Sequence, residues 1–182
     1  WLNAQLQFDP ALMPVQRCES IDLWRERINA SSVSLIFSSY YLNNPASMFG
    51  HTLLRFNSAD DAQPGLLDFA VNYAAVIDPD SGSFDYVWKG LTGGFQGRFS
   101  VMPYYDMVKQ YNDLENRDLW EYRLNFSPAQ IDFMLLHVLE LAYTHFDFYF
   151  MRKNCSYHLL SLLEVGDPEL HLRDRYWAWT LP

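Results

Sequence analysis

Met151-Arg152-Lys153-Asn154-Cys155-Ser156-Tyr157-His158-Leu159-Leu160-Ser161-Leu162-Leu163-Glu164 is the stretch on which the reading of this chain turns. Leu159, Leu160, Leu162 and Leu163 give a helix a buried face, and Gly166-Asp167-Pro168 stops it. Asn154 is a favoured N-cap, so Cys155 falls in the first turn, directly after two cations. Unpaired N–H groups, the positive end of the helix dipole and nearby Arg and Lys all favour a thiolate. The competing reading is a cysteine that simply fills core space.

Upstream, Ser127-Pro128-Ala129-Gln130 is a capping box with Pro at the first helical position. Ile131, Met134, Leu135, Val138, Leu141, Ala142 and His145 then recur at helical spacing, which predicts a long helix to about Thr144. The aromatic bridge Phe146-Asp147-Phe148-Tyr149-Phe150 joins it to the cysteine helix.

Further back, strands are predicted over 33–38, 51–56, 66–73, 99–103 and 119–124, with a helix over 106–111 and a short one near 20–28. The strands 51–56 and 66–73 pair antiparallel in this reading, with Phe56 opposite Leu67. Arg55 then faces Asp68 and His51 faces Asn72, with all four on one polar face and Leu54, Phe56, Leu67, Phe69 and Val71 on an apolar one. Residues 78–98 carry many glycines without the dinucleotide or P-loop spacing, and are expected to form a mobile loop with exposed aromatics.

Composition bounds the function. The chain has 182 residues, 49% hydrophobic and 17% aromatic, enough for one folded domain with a proper core. A net charge of −9 with no basic run argues against a nucleic-acid partner. No apolar run is long enough to span a membrane. The start at Trp1 and the stop at Pro182 suggest a single domain excised from a longer protein, with a core over about 20–166 and peripheral segments at 1–19 and 167–182. Cys18 and Cys155 are treated as independent thiols rather than a disulfide framework.

A nucleophilic cysteine needs an imidazole to take its proton and a polar group to orient that imidazole. His137 and His145 lie in or at the end of the long helix, where a structural role is expected. His158 shares the helix of Cys155, which lets it line the site but makes it a poor partner for a thiol at the helix end. His171 sits among charged tail residues. His51, at a strand start after a loop, is the best-placed base. The His and Cys spacings fit no metal site, no Gly-x-Ser-x-Gly occurs, and no metal or cofactor is expected.

Four ordered motifs carry a resemblance: Tyr40-Tyr41-Leu42-Asn43-Asn44-Pro45-Ala46-Ser47-Met48-Phe49-Gly50-His51-Thr52-Leu53-Leu54-Arg55-Phe56, Asn72-Tyr73-Ala74-Ala75, Gly90-Leu91-Thr92-Gly93-Gly94-Phe95-Gln96-Gly97 and Lys153-Asn154-Cys155-Ser156-Tyr157. From about residue 20 onward the chain resembles the bacterial DUF4105 family, whose namesake domain is the N-terminal extracytoplasmic domain of the lipoprotein N-acyltransferase Lnb. The resemblance implies an α+β, circularly permuted papain-like (NlpC/P60-like) fold, with an antiparallel sheet packed on the helix that bears the cysteine. It implies Cys155 as nucleophile and His51 as base; for the third group the strand register above favours Asn72, with Ser47, close to His51, as the alternative. Ser47, Asn43, Tyr41, Asn154 and Tyr157 are the candidate oxyanion or substrate-lining residues.

The implied chemistry is acyl transfer through a Cys155 thioester, from a phospholipid or lipoprotein to an amine, in an extracytoplasmic setting at a membrane surface. The membrane-spanning helices that Lnb carries beyond this domain have no counterpart in this chain. Two alternatives use the same sequence. One is an NlpC/P60-type amidase acting on cell-wall peptide; the other is a non-catalytic domain whose aromatics grip lipid or a partner.

Overall fold

The computed structural model describes residues 6–9, 11–14, 17–42, 48–60, 62–78, 82–176 and 178–182. Strand β1 (Ala30–Ser38) follows helix α1 (Glu19–Ile28). Next come β2 (His51–Ser58), β3 (Phe69–Val76), α2 (Ser83–Thr92), β4 (Phe95–Pro103), α3 (Tyr104–Val108), β5 (Leu119–Leu124), α4 (Pro128–Leu141), β6 (Phe146–Phe148) and α5 (Cys155–Gly166). Among the described residues the strands form one six-stranded sheet in the order β5-β1-β2-β3-β4-β6, with every neighbouring pair antiparallel. The protein is therefore a mixed α+β chain.

Period-two alternation sends Leu54 and Phe56 of β2, Val71 and Tyr73 of β3 and Val33 of β1 to one side of the sheet. There they meet Ile131, Met134, Leu135 and Val138 of α4 and Leu159, Leu162 and Leu163 of α5. Each such side chain contributes about 1.5–3 kcal/mol on full burial, so this apolar contact anchors α5 on the sheet. α4 begins as expected: Ser127 Oγ accepts from the Gln130 amide, and the Gln130 side chain accepts from the Ser127 amide.

Three expectations change. The β2–β3 register is shifted by two residues, so that Phe56 opposes Phe69 and Arg55 opposes Ala70. Gly65–Leu67 coils into a single 3-10 turn and takes Leu66 and Leu67 out of the ladder, leaving both exposed. A shift of two keeps every side chain on its face, so Arg55 still reaches Asp68 diagonally, with Nη2 and Nε at 2.7 and 2.9 Å from one carboxylate oxygen. The face expected to be polar is also partly apolar, because Leu53, Ile36 and Ala70 are buried on it against Tyr104, Met107 and Tyr111.

The glycine-rich segment expected to be a loop is instead helix α2 followed by strand β4. Gly93 ends α2 in the left-handed conformation, with φ +84, donating its amide to the Lys89 carbonyl, as helix-terminating glycines do. Gly97 lies against the buried ring of Tyr73, where a Cβ would come within 2.1 Å of the phenol oxygen. The glycines reflect close packing rather than mobility. The expected aromatic exposure does hold, since Phe84 and Trp88 of α2 face solvent.

Candidate active site

Cys155 is the first residue of α5, and Asn154 is the cap that places it there. Asn154 Oδ1 accepts from the Tyr157 amide at 3.3 Å, and its Nδ2 donates to the carbonyls of Phe150 at 3.0 Å and Thr180 at 2.5 Å. One side chain thus ties the helix start to the aromatic bridge and to the end of the chain, where Thr180 is buried. With its polar atoms engaged this way, Asn154 is a scaffold for Cys155.

His51 opens β2 from the opposite wall. Gly50 precedes it with φ +98, and a Cβ at that position would lie 2.6 Å from the Phe37 ring and 2.9 Å from the Ser38 carbonyl. Only glycine fits this turn without strain, and the turn fixes where the imidazole starts. His51 Nε2 donates to Asn72 Oδ1 at 2.6 Å, both side chains being buried. Asn72 is two residues along β3 from the position opposite His51, so the contact survives the register shift as a diagonal one.

With Nε2 committed to Asn72, the other ring nitrogen serves the hydrogen bond between His51 and the Cys155 sulfur. Burial pushes the Cys155 thiol up, but the His51 charge and hydrogen bond, together with hydrogen bonds from the Thr52 backbone and hydroxyl, more than offset this and bring it down to about 7. Burial lowers the His51 pKa, yet the Cys155 thiolate, the hydrogen bond to it and the Asn72 carbonyl leave it raised. The two shifts have one cause: each charged partner stabilises the other in a water-poor site, which is the thiolate–imidazolium arrangement.

Sequence reasoning did not single out three neighbours. Thr52 reaches the sulfur by backbone and side chain, and its Oγ1 lies 3.1 Å from Ser156 Oγ. Its signal was adjacency to His51. Tyr111 packs its ring 5.7 Å from the His51 ring, out of a π-helical turn, Lys109–Leu114, that continues α3. Arg117 is buried with its guanidinium over Tyr111 at 4.8 Å, donating to the Ser38 and Ser39 carbonyls and pairing with Glu115 at 2.9 Å. Its charge opposes protonation of His51. Nothing in the local sequence around Tyr111 or Arg117 signals this role, because both reach His51 only through the folded sheet edge.

Cys155, His51 and Asn72 therefore come together as expected. Ser47 and Asn43 lie outside the described residues. Tyr41 is half-buried just after β1. Tyr157 lines a separate cleft, with Arg173 over its ring at 5.9 Å. Cys18 is exposed and both cysteines are free. The described residues contain no cluster of three or more His, Cys, Asp or Glu side chains able to hold a metal.

The family model described as Lnb N-terminal periplasmic domain matches residues 21–181. Neither a curated protein nor a solved structure matches the chain.

Proposed function

The chain belongs to the family of Lnb N-terminal periplasmic domains, and from that premise we propose that it is a cysteine acyltransferase working through a Cys155 thioester. The family is periplasmic, and no helix among the described residues is long and apolar enough to cross a membrane. We read the architecture as the circularly permuted papain-like, NlpC/P60-like arrangement of the DUF4105 family. The antiparallel sheet against α5 supports this reading, as does a histidine that precedes the cysteine in the chain.

The observation that carries the function is the relay Cys155–His51–Asn72 at the first turn of a buried helix. In the proposed reaction the Cys155 thiolate attacks the carbonyl carbon of an acyl ester on a phospholipid or lipoprotein. The developing oxyanion faces the first-turn amides of α5, where the dipole favours negative charge. As the ester C–O bond breaks, the His51 imidazolium gives its proton to the departing alkoxide, leaving a thioester on Cys155. An amine such as a lipoprotein N-terminus then attacks the thioester, His51 accepts the amine proton, and the thiolate leaves with the amide formed. Asn72 holds His51 in the tautomer and ring orientation that both halves need.

Intact-mass analysis after incubation with phospholipid tests the proposal. The expected result is a mass increase of one acyl chain on Cys155, removed by hydroxylamine and absent in Cys155→Ala. An adduct that persists in Cys155→Ala rejects the thioester. Release of peptide fragments from peptidoglycan with no acyl adduct would replace it with the amidase reading.

A further inference from the structure

A second site lies on the opposite side of β3 from His51. Between the end of α4, β6 and the flank of α5 the molecule opens into a cleft of about 710 Å³, within the range of roughly 300–1,000 Å³ typical of small-molecule sites. Cys155, His51 and Asn72 do not line it.

Its wall is apolar where Phe99, Leu141, Phe146, Leu162 and Val165 meet. Its polar groups are biased in one direction. Lys153, Arg173, His137, His145 and His158 face Asp147 as the lone lining carboxylate. Among the lining side chains two permanent cations stand against one carboxylate, and three of the five histidines add hydrogen-bonding nitrogens, in a chain whose net charge is −9. Arg173 is itself paired with Glu164 beside the cleft, whereas Lys153 is exposed and has no ion pair among the described residues.

His158 supplies an independent pointer. It is 7% exposed, its ring stacks on Tyr73 at 4.0 Å, and its Nε2 is buried without a hydrogen-bond partner. A buried imidazole nitrogen without a partner costs about 1–3 kcal/mol, and this one belongs to a side chain that lines the cleft, so a small shift of the ring would let a ligand oxygen relieve that cost. Burial, with the charges of Lys153 and Arg173, holds its pKa down at about 4, so the ring is neutral and can donate to a ligand without carrying charge.

We propose that this cleft binds an anionic amphiphile, seating an apolar chain against Phe99, Leu141, Phe146, Leu162 and Val165 and a phosphate-type head against Lys153, Arg173 and His158. The assignment does not rest on the thioester reading, because none of the three reacting residues touches the cleft.

The test uses Cys155→Ala, so that no turnover occurs, and titrates it with dodecyl phosphate, dodecyl maltoside and inorganic phosphate below micelle-forming concentrations. Binding is followed by calorimetry and by the His158 imidazole resonances. The expected result is saturable binding of dodecyl phosphate at least tenfold tighter than dodecyl maltoside, a shift of the His158 resonances, and no binding of inorganic phosphate in the same range. Lys153→Glu, a change at an exposed position, should weaken dodecyl phosphate by roughly tenfold, the worth of one charge-assisted contact, and leave dodecyl maltoside unchanged. Val165→Trp, which fills the cleft, should remove binding of both amphiphiles; if it does not fold, Lys153→Glu alone decides. Equal affinity for the two amphiphiles, inorganic phosphate binding as tightly as dodecyl phosphate, indifference to Lys153→Glu, or an unmoved His158 would each overturn the assignment.

Discussion

Asn72 and Tyr73 are consecutive residues of β3, yet each holds a buried histidine on its own side of the sheet. Asn72 holds His51 by a 2.6 Å hydrogen bond, and Tyr73 holds His158 by a ring stack at 4.0 Å. Burial disfavours the charged form of both rings. His51 nevertheless ends with a raised pKa, because the Cys155 sulfur and the Asn72 oxygen both favour its cation. His158 falls to about 4, because burial is joined by the like charges of Lys153 and Arg173 with no opposing partner for its cation. Burial alone therefore does not decide whether a histidine carries charge. What separates the two is the sign and direction of the groups aimed at the ring, while alternation along β3 puts Asn72 and Tyr73, the residues that hold the two rings, on opposite faces.

Replacing the thiol tests the reactive side of this contrast most severely. Cys155→Ala should abolish acyl adduct formation altogether while thermal unfolding still shows a folded protein, since the change removes one small side chain. His51→Ala should slow adduct formation by about 10²- to 10⁴-fold, the usual worth of a positioned acid–base group. It should also send the Cys155 titration from about 7 to above the ordinary thiol value, because burial remains and the opposing charge is gone. Asn72→Ala keeps both reacting groups, so its loss should be smaller, about 10- to 100-fold, with the His51 pKa lowered from its present position. An Asn72 variant with full activity would break the parallel between the two faces.

The other histidine predicts a stability effect. A ring held neutral at about 4 in the fold but titrating at its ordinary value when unfolded contributes fully above about 6.5. That contribution is lost as pH falls from there toward 4, because the unfolded chain takes up the proton first. Denaturant unfolding at pH 7 and at pH 4.5 should show an acid loss of about 2 kcal/mol assignable to His158. His158→Gln should remove that part of the loss; an unchanged difference between the two pH values would mean the ring is not held neutral. Asn154→Ala, which deletes the cap and leaves the Phe150 and Thr180 carbonyls without their donor, should cost about 2 kcal/mol by the same measurement at pH 7.

Much of this was legible in the residues. Asn154 capping α5 and the Ser127–Gln130 capping box follow from local chemistry, which is why both helix starts were found to the residue. The pairing of His51 with Asn72 was also foreseen, although through a register two residues away from the actual one. Side-chain faces repeat every two residues, so a pattern of apolar and polar positions fixes the face but not the slide along the partner strand. The 3-10 turn at Gly65–Leu67 that sets the slide has no strong local marker. Helix α2 was missed because Gly90, Gly93, Gly94 and Gly97 imitate loop composition, whereas Gly97 answers to the buried Tyr73 ring brought there by the fold. Tyr111 and Arg117 were invisible for the same reason, being distant in sequence from the histidine they surround.

The central claim is that Cys155 and His51 share a proton at neutral pH. Thiolate ultraviolet absorbance of the Cys18→Ser protein, followed against pH with and without His51→Ala, measures it directly. The account predicts a Cys155 inflection at about 7 that moves above the ordinary thiol value when His51 is removed. A single inflection near about 8.5, the value of an unperturbed thiol, identical in both proteins, would contradict it.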